Sequence, residues 1–195
     1  MLNPQKDPTL YKNYSLKNIH HRVLNKVHLQ ESFEMDANKA QFIVGVADEL
    51  IDAGLVEEFF HVLEGLLSVG IMFVLRAKAT KKYQERVEDL QKRYPSLLFV
   101  LNDSEENIRT IFASADAVLS LHTDAELLMM SMTYGAVPIC QANELVDNYD
   151  VIEEQGSGFC FMGESRWNIF ESVIRARESF RFPYDWKNIQ KTIMK

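Results

Sequence analysis

The chain has little of what marks secreted and membrane proteins. It is 195 residues long with two cysteines, Cys140 and Cys160, too few for the disulfide framework of a secreted protein. Residues 1–15 are polar and lack the apolar core of a signal peptide, and no apolar run is long enough to span a bilayer. We therefore expect a cytoplasmic protein with free, buried thiols and no contact with a membrane.

Clustered positive charge is also scarce. There are 21 Lys and Arg against 28 Asp and Glu, which gives a formal net charge of -7. A nucleic-acid partner is not expected, because phosphate contacts need clustered Lys and Arg. The one basic run, Lys78 with Lys81 and Lys82, is followed by acids and is typical of a solvated helix start. His and Cys residues do not occur together at ligand spacing, so neither a metal site nor a cofactor is expected.

The sequence does contain a regular alternation of short apolar runs and amphipathic stretches. The apolar runs are rich in β-branched residues and predict six buried strands. They are FIVGVA (42–47), IMFVL (71–75), LLFVL (97–101), AVLSL (117–121), VPIC (137–140) and GFCFM (158–162). Amphipathic helices between them indicate repeated βαβ units. The predicted fold class is α/β, with a doubly wound, mostly parallel six-stranded Rossmann-like sheet.

The flanking segments complete this predicted organisation. Residues 1–40 are expected to form a lead-in linker and a helix that Ser15 caps and that runs to about Phe33. Residues 41–195 are expected to form the Rossmann-like domain, and the whole chain a single globular unit. The polar stretch between the fifth and sixth strands has a helix-like pattern, so a helix is predicted there too.

The stretch LSLHTDAELLMM (119–130) is the strongest candidate for a ligand site on position alone. It joins a strand end to a helix start, which is where ligands bind in open α/β sheets. Its polar residues also fit a capping box, in which Thr123 accepts from the backbone N–H of Glu126 and Glu126 reaches back to Thr123. His122, Thr123, Asp124 and Glu126 therefore have two interpretations, a ligand site or a helix cap.

Several stretches resemble one enzyme family. NPQKDPTLYKNYS is similar to the linker W-N-P-x-x-D-P-x-L-x-x-x-Y-S of bacterial glycogen synthases and plant starch synthases, and Asn25, Lys26, Leu29 and Gln30 match the x-N-K-x-x-L-Q helix that follows it. SADAVL, MTYGAVPI and GSGFCF resemble later family segments. The likeness covers essentially the whole chain and is to the C-terminal domain of these retaining GT-B glycosyltransferases.

The resemblance implies a fold, a reaction and partners. The family transfers glucose from ADP-glucose to the non-reducing end of an α-1,4-glucan. The donor binds mainly to the C-terminal domain, the acceptor binds to the N-terminal domain, and the reaction takes place in the cleft between them. The implied partners are therefore an N-terminal GT-B domain or a catalytic partner protein, with an α-glucan or ADP-glucose as ligand.

The donor-site segments depart from the family pattern. Glu49 stands where the family has an arginine that neutralises the diphosphate, and the family lysine beside Gly54 is missing. The family G-S-G-D loop is AKAT (77–80), and T-G-G is ANE (142–144). The loop that carries the donor-binding glutamate is about three residues shorter here. Negative charge in place of positive repels a diphosphate, which indicates that this donor chemistry is lost.

Three hypotheses follow. The first is a catalytically degenerate synthase-type domain that acts as a binding or regulatory module and is inactive alone, with no catalytic residue assigned. The alternative is the nucleotide-sugar-binding half of an active glucosyltransferase, with Arg76, Lys78 and His122 replacing the lost groups. The third is an α/β domain whose fold implies nothing about its ligand. The predicted location of the remnant donor site comprises Gly54, Lys78, His122, Thr123, Asp124 and Glu126. Trp167, Tyr184 and Trp186 are interpreted as packing residues, with stacking on sugar rings as the alternative.

Overall fold

The computed structural model describes residues 3–51, 54–122 and 124–195. Within these ranges six strands form one parallel sheet in the order β3-β2-β1-β4-β5-β6, with helices on both faces. The strands are β1 (Ile43–Val46), β2 (Met72–Arg76), β3 (Leu98–Leu101), β4 (Ala117–Leu119), β5 (Val137–Gln141) and β6 (Phe159–Phe161). The predicted α/β fold class, with a doubly wound six-stranded sheet, is confirmed.

Seven α-helices belong to the described residues. They are α1 (Arg22–Ser32), α2 (Gly54–Ser68), α3 (Lys81–Arg93), α4 (Glu105–Ser114), α5 (Ala125–Thr133), α6 (Arg166–Phe180) and α7 (Pro183–Ile193). Buried side chains of α2, α3, α6 and α7 form one apolar cluster with the sheet, and those of α4 form a second cluster with the lead-in. Because β1 and β4 are neighbours while their chain connections run to opposite sides, a topological switch point lies between them.

The close packing of α4 on β1 depends on a glycine. A Cβ at Gly45 would lie 2.3 Å from Cγ2 of Ile111 and 3.2 Å from Cβ of Ala115. Glycine therefore allows the helix to approach the strand backbone directly, which any larger residue would prevent.

The predicted helix from Ser15 to Phe33 is wrong in its first part. Leu16–His21 is a 3-10 helix, and the α-helix begins only at Arg22. Within the 3-10 segment Asn18 has φ -125° and ψ 38°, outside helical geometry, and its Oδ1 accepts the backbone N–H of Ser15 at 2.6 Å. Asparagine side chains compete in this way with helical backbone hydrogen bonds, so the regular helix starts one turn later.

The lead-in packs firmly on the sheet domain. The buried Arg22 guanidinium donates to the carbonyl oxygens of Tyr134 at 3.0 Å and Phe112 at 2.8 Å, and also to that of Ala115. The hydroxyl of buried Tyr14 donates to the same Tyr134 carbonyl at 2.7 Å. These bonds join the lead-in to the ends of α4 and α5. The division into residues 1–40 and 41–195 stays a prediction.

The helix predicted between the fifth and sixth strands is absent from this fully described segment. The chain instead forms turns and isolated bridges, between Asn148 and Gly158 and between Asp150 and Gln155. Asp150 Oδ1 accepts the backbone N–H groups of Ile152 at 2.8 Å and of the next residue at 3.1 Å. A side chain that accepts the backbone N–H groups of the residues directly after it stabilises a turn. These hydrogen bonds compete with those of a helix.

Candidate functional site

The carboxyl ends of β1 and β4 meet at the switch point. The backbone N–H of Leu121, after β4, donates to Asp48 Oδ2, after β1, at 3.1 Å. The ring Nε2 of His122 is hydrogen-bonded to the carbonyl oxygen of Glu49 at 2.7 Å. Parallel strands end at the same edge of the sheet, so this is the position predicted for ligand binding.

Asp48 is a buried acid that sequence reasoning missed. It is 3% exposed, and burial raises the pKa of its carboxyl, against the opposing effect of the Leu121 N–H and the His122 ring. Its Oδ1 has no hydrogen-bond partner among the described residues. Its position directly after the apolar run 42–47 was the available signal, because polar residues at strand ends in open α/β sheets face the ligand edge.

Two residues that depart from the family pattern pair with each other. Glu49 Oε1 and Lys78 Nζ form an ion pair between the segments that follow β1 and β2. Backbone bonds join the same segments: Leu50 N–H donates to Lys78 O at 2.7 Å, and Thr80 N–H donates to Leu50 O at 3.0 Å. Lys78, predicted as part of the remnant site, thus has its charge neutralised by the acid that replaces the family arginine.

Arg76 is committed to protein partners as well. From the end of β2, its Nε donates to Asp103 Oδ1 at 2.6 Å and its Nη1 to the carbonyl oxygen of Ala47 at 3.2 Å. Arg76, Lys78 and His122 were the candidates to replace the lost donor contacts. Each of them holds one loop of the sheet edge to another.

The predicted cap of α5 is wrong by one residue. Asp124 is the N-cap, and its Oδ1 accepts from the backbone N–H groups of Glu126 at 2.9 Å and Leu127 at 3.1 Å. The N–H assigned by prediction to Thr123 is therefore taken by Asp124, which occupies the N-cap position because the helix begins at Ala125. Thr123 itself lies outside the described residues. The cap interpretation of this stretch is otherwise confirmed for Asp124.

The structure separates the predicted site residues into two groups. Lys78 and His122 meet at Glu49, whereas Asp124 and Glu126 line a cavity of about 410 Å³ at the amino ends of α4 and α5. Its other lining residues are Arg76, Glu105, Ile108, Arg109, Leu127 and Met130. Both arginines there face acids, since Arg76 pairs with Asp103, and Arg109 Nε lies 3.1 Å from Asp7 Oδ2.

Gly54, the remaining predicted residue, begins α2. A Cβ there would lie 3.1 Å from Glu164 Oε2, so a carboxylate stands beside the first residue of this helix. Free backbone N–H groups and the helix dipole make such a position attractive to an anion. Here the chain's own Glu164 supplies the negative charge.

The three aromatic residues interpreted near the C-terminus differ in their exposure to solvent. Trp186 is buried against Phe42, Phe159 and Phe180, as the packing interpretation predicted. Trp167 is 68% exposed and Tyr184 is 72% exposed, so that interpretation was wrong for them. The amphipathic pattern of their helices could not predict this exposure. It indicates on which face of the helix a residue lies, but not whether another part of the protein packs against that face.

Comparison with known proteins finds similarity to glycogen synthases. The chain is 27% identical over 202 residues to glycogen synthase 1 of Synechocystis sp., covering 99% of this chain and 42% of the relative. It is 28% identical over 202 residues to the glycogen synthase of Trichodesmium erythraeum, covering 99% of this chain and 44% of the relative. No protein family model matches. The chain thus spans less than half the length of the curated relatives it matches.

Solved structures agree with this likeness. The catalytic domain of starch synthase IV from Arabidopsis thaliana, bound to ADP and acarbose, superposes with a TM-score of 0.83 at 20% identity, over 99% of this chain and 42% of that one. The C-terminal domain of a group 1 glycosyltransferase from Francisella tularensis gives 0.63 at 11% identity, over 86% and 90%. The resemblance to glycogen and starch synthases is confirmed, and the fold is that of a GT-B glycosyltransferase domain. Among the described residues, no helix combines the length and apolarity needed to cross a bilayer.

Proposed function

We propose that this glycogen- and starch-synthase-like GT-B domain is catalytically degenerate and acts as a binding or regulatory module. The partner it requires for any glucosyl transfer is an N-terminal GT-B domain, in the same chain or in another protein. A cytoplasmic location, expected from the sequence, fits this role. The proposal rests on the switch-point edge, where the domain's own side chains take the places that a donor would need.

The observation that carries the proposal is the Glu49–Lys78 ion pair. The likeness to synthases implies a positive group at position 49 for the diphosphate, and the acid there reverses that charge. Lys78, the nearest compensating cation, is held by the same acid. Both side chains are about two-fifths exposed, so the pair itself contributes only about 0–1 kcal/mol to stability. Its effect on ligand binding is larger, because a diphosphate entering here meets a carboxylate at close range.

The rest of the edge adds to this effect. Buried Asp48, the α5 cap Asp124 and Glu164 beside Gly54 bring further carboxyl groups to the positions where helix N-termini and strand ends would hold phosphate. A donor would have to displace the Asp124 cap, whose loss costs about 1 kcal/mol, before it reached the amides of α5.

Calorimetric titration of the full chain with ADP and with ADP-glucose tests the proposal. We expect no saturable heat up to millimolar ligand. The matched variants are Lys78→Ala and Lys81→Ala, since Lys81 is an exposed lysine at the first residue of α3 whose Nζ lies 3.8 Å from Glu85 Oε1. Saturable binding of ADP-glucose that Lys78→Ala weakens and Lys81→Ala leaves intact would overturn the proposal and favour the active half-enzyme.

The binding role itself needs a separate test, with an α-glucan as the probe. Retardation of the chain in native gels that contain glycogen measures this affinity. Trp167→Ala removes an exposed indole suited to stacking on a sugar ring, and Phe182→Ala removes another exposed ring as the control. Retardation lost only in Trp167→Ala supports a glucan-binding module, whereas no retardation of the wild type removes the glucan from the proposed ligands.

A further inference from the structure

The two cysteines of the chain are neighbours in the sheet. Cys140 in β5 and Cys160 in β6 are register partners, with Ile139 paired to Phe159 before them and Gln141 to Phe161 after them. Paired positions on adjacent parallel strands place their side chains on the same face, with strands about 4.8 Å apart. That spacing falls within the Cα separation of about 4.4–6.8 Å that is usual for disulfides.

The thiols are hydrogen-bonded to the loop between their strands. The Cys160 thiol donates to the carbonyl oxygen of Val146 at 3.4 Å. Asn143 Nδ2 donates to Cys140 Sγ at 3.2 Å. The sulfur pair therefore holds the β5–β6 loop at two points, Asn143 and Val146.

The two sulfurs differ in environment. Cys140 is buried, while Cys160 is partly exposed to solvent. Interaction with the neighbouring Cys140 thiol lowers the pKa of the Cys160 thiol, and the positive charge of Arg175 lowers it further. Conversely, interaction with the Cys160 thiol and burial raise the pKa of Cys140. Cys160 is thus the sulfur that an oxidant reaches first and finds more readily ionised.

We propose that Cys140 and Cys160 form a reversible disulfide when the protein meets a hydroperoxide, and that this bond loosens the β5–β6 loop. This inference is independent of whether the domain binds a donor. It assigns Cys160 as the attacking sulfur and Cys140 as the resolving sulfur, on the basis of their register and of the greater exposure of Cys160.

The chemistry balances with hydrogen peroxide as the oxidant. The Cys160 thiolate attacks one peroxide oxygen, the O–O bond breaks, and the departing hydroxide takes up the thiol proton as water. Cys160 is then a sulfenic acid. The Cys140 sulfur attacks Cys160, the S–O bond breaks, and the hydroxide leaves as a second water with the Cys140 proton. Two thiols and one peroxide give one disulfide and two waters.

Loosening of the loop follows from the same bonds. In the disulfide neither sulfur carries a proton, so Cys160 no longer donates to the Val146 carbonyl. The loop starts at residues 142–144, the segment that replaces the family T-G-G at the carboxyl edge of the sheet. Oxidation of the pair would therefore alter the edge where the candidate site lies.

Mass spectrometry of the intact chain after peroxide and iodoacetamide tests the bond. The wild type should lose two hydrogens and both alkylation sites, a proteolytic map should show Cys140 linked to Cys160 in the monomer, and dithiothreitol should restore both thiols. Cys140→Ser should stop at a sulfenic acid that dimedone traps on Cys160. Cys160→Ser should leave Cys140 unreacted until the chain is denatured.

Three results would overturn the proposal. They are two alkylatable thiols in the wild type after peroxide, disulfides only between chains, and Cys160→Ser reacting as fast as the wild type. Hydrogen exchange tests the coupling to the loop. The backbone amides of residues 145–158 should exchange at least about twofold faster in the oxidised chain, because the loop loses one weak S–H hydrogen bond. The exchange rates of the α2 amides should stay unchanged. Equal exchange in both forms would show that the loop does not respond.

Discussion

Lys26 in α1 and Asp116 before β4 form a buried ion pair, with Nζ 2.7 Å from Oδ2 and side chains only 3% and 7% exposed. The pair is completed by backbone groups. Lys26 also donates to the carbonyl oxygen of Lys39 at 3.0 Å, and Asp116 Oδ2 also accepts the N–H of Ile43 at 2.9 Å. A buried pair with its remaining hydrogen bonds satisfied is tolerated, while either member alone is not.

We expect Lys26→Met to destabilise the protein by about 3 kcal/mol, because it leaves the Asp116 carboxylate buried without its cation. Urea denaturation at neutral pH measures this. Lys12→Met, at an exposed lead-in lysine, should change the free energy of unfolding by less than about 0.5 kcal/mol. Similar effects of the two changes would show that the buried pair is not a determinant of stability.

Glu57 of α2 should make stability depend on acid pH. Its carboxylate accepts from Lys82 and Arg86, each at 2.7 Å, and from the Tyr83 hydroxyl at 2.9 Å. The hydrogen bond from Lys82, with those from Arg86 and Tyr83, lowers the pKa of Glu57 from 4.5 to about 2. A lowered pKa gives stability that is present above pH 4.5 and is lost as the pH falls through about 2.

Glu57→Gln should therefore cost about 1 kcal/mol at neutral pH, a value kept small by solvent screening at this part-exposed site. The difference from the wild type should disappear between pH 4.5 and about 2, as followed by thermal unfolding across that range. Glu85→Gln, on the exposed face of α3, provides the control and should show no such convergence. A constant difference at every pH would contradict the assigned cause.

Asp48 should have the opposite pH signature. Burial raises the pKa of its carboxyl, so its contribution to stability is present at low pH and is lost as the pH rises through the raised value. Asp48→Asn keeps an acceptor for the Leu121 N–H and removes the buried charge. We expect this variant to be more stable than the wild type by about 1 kcal/mol at pH 7, with the gain vanishing below the ordinary pKa of 3.8.

Chemical denaturation at both pH values measures that difference. Glu144→Gln is the matched control, an exposed acid after β5 at the same edge of the sheet. If Asp48→Asn proves less stable at neutral pH, the carboxylate has a stabilising cation that the described contacts do not include, and the charge argument for a closed donor site weakens.

The lead-in should be essential to the domain. Deletion of residues 1–40 removes the hydrogen bonds from Arg22 and Tyr14 to the Tyr134 carbonyl oxygen. It also removes Lys26, so the buried Asp116 carboxylate loses its cation. We expect the shortened chain to be cleaved by trypsin at least tenfold faster than the full chain, since several kcal/mol of buried polar contacts are lost. Equal resistance would support residues 41–195 as an independently folding domain.

Local pattern was sufficient to predict most of the fold. The strand Met72–Arg76 forms from the continuous apolar run 71–75, and Ser104 caps α4 by accepting the Asn107 N–H at 3.1 Å. The failures occur where polar side chains compete with the backbone. Asn18 delays a helix, Asp150 prevents one, and Asp124 takes a cap that the motif assigned to Thr123.

The sequence predicted where the residues of the candidate site lie along the strand ends, but not which of them contact one another. Strand ends at the switch point gave its location. The Glu49–Lys78 pair depends on the spacing between the β1 and β2 loops, and the register of Cys140 with Cys160 depends on β5 and β6 being neighbours. Such contacts join residues 20 or more positions apart in the sequence, so no local pattern contains them.

The carbonyl oxygen of Tyr134 accepts from both Tyr14 and Arg22, so the lead-in is anchored at the C-terminal end of α5. The other end of that helix is the Asp124 cap at the ligand edge. The single helix α5 therefore connects the lead-in, bound at its C-terminal end, to the sheet edge, where its amino end carries the Asp124 cap.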